Sequence, residues 1–111
     1  MPRSKDPVTP VVWTFSALAD VEGIRRYIGN FNPHAARDMA ERIIETGNSL
    51  TVFPYRGRQV PGTRLRETAL ARPYIIRYRV DPDCVVILRV RHGARRSTSP
   101  DPLLEKDGPH D

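Results

Sequence analysis

The chain contains one cysteine, Cys84, so it cannot form an intramolecular disulfide or offer a pair of thiolates to a metal. Cys84 reads as a small residue at a strand start, because no partner base stands near it. His34, His92 and His110 are far apart, and no HxxxH or CxxC spacing occurs. Arg56-Gly57-Arg58 and Pro61-Gly62 lack the spacing of a phosphate-binding loop, and no GxSxG motif is present. These absences remove support for metal, nucleotide-loop and serine-nucleophile chemistry, so no cofactor is expected. No apolar run approaches the roughly 18 to 20 residues that span a bilayer. Met1 to Pro10 lacks a signal-peptide type of apolar stretch, which points to the cytoplasm and no membrane contact. Lysine is nearly missing too, occurring only at Lys5 and Lys106.

What remains is an arginine-rich chain of 111 residues, 39% hydrophobic and 28% charged, with a net charge of +5. That length suits one domain with a single modest core. The basic balance attracts nucleic acid or an acidic protein. With lysine confined to the ends, every cation of the folded part is an arginine, whose fork suits carboxylate and phosphate.

Residues 1–10 carry three prolines and read as a flexible arm. Val11 to Phe15 is a β-branched and aromatic run that predicts a strand, and Ser16 stands where a helix cap would. Leu18, Val21, Ile24, Ile28 and Phe31 then recur at three and four, predicting an amphipathic helix from about Leu18 to Asn30. Asn32-Pro33 is a cap followed by a proline at the first helical position. It opens a second helix, with Ala36, Ala40, Ile43, Gly47 and Leu50 on one stripe. Phe53-Pro54 ends it, and Tyr55 to Thr63 reads as a loop.

Three strand-like runs follow, Arg64 to Leu70, Tyr74 to Val80 and Val85 to Arg91, the last two joined by the turn Asp81-Pro82-Asp83. Period two puts Tyr74, Ile76, Tyr78 and Val80 on one face, with Ile75, Arg77 and Arg79 opposite. The same rule puts Val86, Leu88, Val90 and His92 together, with Val85, Ile87, Arg89 and Arg91 opposite. Residues 97–111 lose periodicity and read as a flexible tail, leaving 11–96 as the domain. The order β-α-α-β-β-β predicts an α+β fold, an antiparallel helical hairpin packed on a mainly antiparallel sheet.

The feature with chemical potential is a basic, aromatic surface. Arg58, Arg66, Arg77, Arg79, Arg89, Arg91, Arg95 and Arg96 crowd the strands and the segment after them, with Tyr55, Tyr74, Tyr78 and His92 among them. Such groups can position a phosphodiester and move a proton. They suit an acidic helix equally well. Alternating arginines are also the ordinary wet side of a half-buried sheet. Crowding still costs stability unless carboxylates answer it, and Glu67 is the only carboxylate in the strands.

Local signatures add to this. They include Trp13 with Ala17-Leu18-Ala19-Asp20, Ile24-Arg25-Arg26-Tyr27-Ile28, Asn32-Pro33-His34-Ala35-Ala36, Phe53-Pro54 with Gly57-Arg58, and Arg66-Glu67. Pro73 to Tyr78 and Ile87 to Arg96 complete the set. In joint order and spacing they resemble the RelE/ParE superfamily of type II toxin–antitoxin toxins. The resemblance implies neutralisation by a cognate acidic antitoxin of ParD type in a hetero-oligomer. It implies an amphipathic antitoxin helix in the groove of the helical hairpin and sheet, with Arg25, Arg26, Arg37 and Arg42 pairing with its carboxylates.

RelE-type members cut mRNA on the ribosome, and ParE-type members inhibit DNA gyrase. If the chain is RelE-like, Arg66, Arg77, His92 and Arg95 are the catalytic candidates. Ile75 stands where RelE-type chains place an arginine, and no tyrosine follows Tyr78. The ending His92-Gly93-Ala94-Arg95-Arg96 resembles plasmid-stabilisation proteins of ParE type, which favours gyrase as target. A non-toxic nucleic-acid-binding module is the third reading.

Overall fold

A computed structural model describes residues 9–94. In chain order these form β1 (Val11–Trp13), α1 (Phe15–Gly29), α2 (Pro33–Asn48), a 3-10 turn (Ser49–Thr51), β2 (Arg58–Gln59), β3 (Leu65–Thr68), β4 (Tyr74–Val80) and β5 (Val85–His92). The sheet order is β1-β5-β4-β3-β2. Neighbours are antiparallel except β1, which runs parallel to β5 with Val11 opposite Val85 and Trp13 opposite Ile87. The α+β architecture is the one the sequence predicts, with one strand more. The stretch expected as a loop contains β2, which is too short to show a period. The expected arm is described only at Thr9 and Pro10. Both are bonded: Thr51 Oγ1 donates to the Thr9 carbonyl, and Val85 N–H donates to that of Pro10. The expected tail lies outside the described residues.

The first helix starts earlier than its apolar pattern. Thr14, in extended conformation, caps it by accepting from Ala17 N–H at 3.0 Å. Ser16 is therefore inside the helix, and Phe15, 88% exposed, continues neither the strand nor the stripe. The inner stripe is Ala17, Val21, Ile24 and Ile28, while Leu18 and Phe31 face outward. A buried alanine of low hydropathy rotates the helix from the expected phase. The second helix starts where the sequence reads it but ends at Asn48, short of Phe53-Pro54, with Leu50 in the following 3-10 turn. Asn32 Oδ1 accepts from Ala35 N–H at 3.0 Å, and Ala36, Ile43 and Gly47 are buried. A Cβ on Gly47 would overlap the Trp13 ring, 2.7 Å from its Cη2 and closer still to Cζ2, and sit 2.8 Å from Ile87 Cδ1, so glycine lets α2 settle against the sheet.

The core joins Ala17, Val21, Ile43 and Leu50 from the helical side to Ile76, Tyr78, Val85, Ile87 and Val90 of the sheet. In β5 the expected faces hold only in part. Tyr78 pairs with Ile87 but Arg77 pairs with Arg89, leaving Leu88 as a bulge residue. Val85 and Ile87 therefore share the core with Val90, because one inserted residue inverts the alternation midway.

Candidate functional site

Carboxylates answer many of the arginines. On β4, Arg77 does not face solvent as expected. It is 5% exposed, and its Nε donates to Glu67 Oε2 at 3.0 Å from the neighbouring strand. Arg89, directly across from Arg77, reaches α1 instead, where its Nε and Nη2 donate to Asp20 at 2.8 and 3.1 Å. Asp20 also accepts from Val90 N–H at 2.9 Å, beyond the end of β1. The row Glu67, Arg77, Arg89, Asp20 thus runs across three strands to a helix, with an anion at each end. Two adjacent cations are bracketed by two anions.

Pairs nearer the surface add to this neutralisation. Arg79 grips Asp81 with two bonds of 2.8 and 3.0 Å, and Arg64 approaches the same carboxylate at 3.7 Å. The hydrogen bond from Arg79 holds the Asp81 carboxyl below its ordinary range. Arg25 and Arg26 both engage Glu22, and the Arg25 bond in particular lowers its carboxyl. Arg91 is half-buried opposite Ile75.

A different set lacks any carboxylate partner among the described residues: Arg37, Arg42, Arg56, Arg58, Arg66 and Arg72. Arg37 joins Arg25, Arg26, Gly29, Pro33 and Ala36 around a groove of about 420 Å³ where α1 and α2 meet. Its floor is apolar and its walls are cationic. It lies within the hairpin rather than between hairpin and sheet. Arg42 is exposed farther along α2, and Arg58 is exposed on β2.

The third cluster surrounds the exit from α2. Arg56 lies 4.9 Å over the Phe53 ring and Arg66 lies 5.0 Å over that of Tyr55. Tyr78 fixes the backbone between them. Its hydroxyl accepts from Gly57 N–H at 2.8 Å and donates to the Pro54 carbonyl at 2.9 Å. Burial pushes this phenol upward, so it stays protonated and able to donate. Arg66 Nη1 then donates to the Gly57 carbonyl at 2.7 Å. A Cβ on Gly57 would stand 2.5 Å from the Tyr78 hydroxyl and 2.8 Å from the Glu67 carbonyl, so only glycine fits.

Of the residues suggested for RNA cleavage, the three that are described, Arg66, Arg77 and His92, are not gathered. Arg77 is enclosed with Glu67, and Arg66 is turned toward the Tyr55–Gly57 carbonyls. His92 packs edge-on against Tyr74, 5.3 Å between centroids, and its Nδ1 accepts from Ala94 N–H. Arg95 and Arg96 lie outside the described residues. Asp20 and Phe53 went unread as site residues. In sequence Asp20 is one residue of a helix-start signature and Phe53 a helix terminator, and neither position reveals its partner. Among the described residues no three His, Cys, Asp or Glu side chains gather as a metal site, and no helix is long and apolar enough to cross a membrane.

Comparisons with known proteins agree with this geometry. The profile of the family described as "ParE toxin of type II toxin-antitoxin system, parDE" matches residues 11–97. Toxin RelE2 of Caulobacter vibrioides is 51% identical over 85 residues, covering 77% of this chain and 96% of that protein. Putative toxin Y4kP of Sinorhizobium fredii is 40% identical over 81 residues, covering 72% of this chain and 83% of the relative. Among solved structures, the chromosomal ParDE toxin–antitoxin system from P. aeruginosa superposes with a TM-score of 0.70 at 25% identity, covering 77% of this chain and 96% of that one. The helical hairpin on a five-stranded sheet and the match over residues 11–97 place this chain in the ParE toxin family of type II toxin–antitoxin systems.

Proposed function

We propose that this toxin acts by binding DNA gyrase, and that an acidic, ParD-like antitoxin neutralises it from the groove between α1 and α2. One observation supports the choice of target: among the described residues, the candidates for metal-independent RNA cleavage, Arg66, Arg77 and His92, do not converge. His92 sits opposite Tyr74, while Arg66 sits opposite Tyr78. Four residues of strand separate those positions, about 13 Å at ~3.3 Å per residue. Arg77, between them, has its guanidinium committed to Glu67. General acid–base catalysis needs its groups within hydrogen-bond reach of one phosphodiester.

The test is expression of the chain alone, followed by supercoiling assays with purified gyrase and mapping of cellular transcripts. Gyrase inhibition with intact mRNA is the expected result. A second reading, a ribosome-dependent mRNA endonuclease, is favoured by the RelE names of the Caulobacter relatives. Transcripts cut only when ribosomes are present would select it.

The antitoxin assignment rests on the cationic walls and apolar floor of the groove. An amphipathic acidic helix satisfies both at once, in the manner of helix-in-groove recognition. Reversing Arg25, Arg26, Arg37 and Arg42 to glutamate should weaken the complex, most strongly at low salt. Affinity unchanged across salt concentrations would overturn the electrostatic part.

A further inference from the structure

We infer that the Phe53–Tyr55 platform is a binding site for single-stranded nucleic acid, separate from the antitoxin groove. Phe53 is 55% exposed and Tyr55 65%, although aromatic rings of this size ordinarily find cover. Each ring carries a guanidinium stacked over it, from Arg56 and Arg66. Neither guanidinium meets a carboxylate among the described residues, and Arg58 on the adjoining edge strand adds a third uncompensated cation. Elsewhere Asp20, Glu22, Glu67 and Asp81 pair with six arginines, while Arg37, Arg42 and Arg72 also stand without a carboxylate among the described residues. Here neutral acceptors, Ser49 Oγ and the carbonyls of Tyr55 and Gly57, hold the forks in place and leave their charge unanswered.

Planar rings and planar cations at stacking distance, with spare positive charge, match the chemistry of unpaired bases on a phosphate backbone. A duplex hides its base faces and gains nothing from such rings. The platform is also rigid before any ligand arrives. Tyr78 ties Pro54 and Gly57 to β4, and Arg66 ties Gly57 to β3, so ordering it costs a ligand little. The site is independent of the choice between gyrase and ribosome as target.

Fluorescence anisotropy with a labelled oligothymidylate and the full chain tests this. Phe53→Ala with Tyr55→Ala keeps every charge and should weaken binding at least about tenfold, since each stacked base is worth about that much. Arg37→Gln with Arg42→Gln removes two charges from the helical layer and should weaken it less than about threefold. Arg56→Gln should lower the salt slope by about 0.7, the value for one phosphate contact on a single strand. Tyr55→Ser, at a more exposed position, serves if the double variant melts early. The proposal is overturned if the intact chain does not bind the oligonucleotide, or if the helix-layer pair loses as much as the aromatic pair. It is equally overturned if duplex DNA or a poly-glutamate peptide of equal length competes as well as the unlabelled strand.

Discussion

Replacing Glu67 by glutamine tests the buried charge row directly. Glu67 and Arg77 are 6% and 5% exposed, so water cannot re-enter to solvate the stranded guanidinium without disturbing β3 and β4. Arg89 stands directly across from Arg77, and its own carboxylate, Asp20, lies on the other side. The variant would remove the Glu67 carboxylate from a buried arginine that faces a second arginine. Breaking a buried pair in this way costs about 3–5 kcal/mol, a large share of the ~5–15 kcal/mol that holds an ordinary domain. With a urea dependence of ~2 kcal/mol per molar, the midpoint should fall by about 1.5–2.5 M. Trp13 fluorescence reports the transition, because its ring lies against the Gly47 position of α2. Glu22→Gln, at an exposed pair, should leave the midpoint near wild type. Replacing both partners with leucine at 67 and methionine at 77 should recover most of the loss. A change below about 1 kcal/mol for Glu67→Gln would refute this account of the sheet.

Three further outcomes follow from described contacts. Tyr78→Phe strands the Gly57 N–H and the Pro54 carbonyl and should cost about 1–3 kcal/mol in chemical denaturation. Gly57→Ala should cost about 1–3 kcal/mol by forced overlap, read in the same experiment. On pH, the folded-state carboxyl of Asp81 is depressed, chiefly by its hydrogen bond from Arg79. Its stabilisation is present above the unfolded-state value and disappears as pH falls through the depressed folded value. Asp81→Asn should therefore flatten the acid limb of a stability–pH curve and change little near neutrality.

Much of the fold is legible in the residues. Asn32-Pro33 announces the second helix because cap and proline act locally. The α2 stripe is legible because its spacing survives intact. Two features escape for the same reason, that they depend on partners distant in sequence. The Leu88 bulge is invisible to a period-two reading of β5 alone, since it exists only relative to β4. The burial of Arg77 is invisible until Glu67 is placed across from it, and the pairing of Arg89 until α1 brings Asp20 alongside. Arginine alternation looks like a solvated face because composition carries no information on which cations have already found anions. The aromatic platform was half legible: Tyr55 and Arg66 stood out, while Phe53 and the locking hydroxyl of Tyr78 needed the tertiary structure.

The parallel pairing of β1 with β5 has a bearing on how the toxin is made. The segment that launches the first helix docks on a strand that begins more than seventy positions later, at Val85. Nascent or prematurely terminated chains ending before that point have no seat for Val11–Trp13 and no Arg89 to receive Asp20. Closing so long a loop is slow, so the seat of the first strand, and the helix it launches, forms only after synthesis has passed Val85 and Arg89.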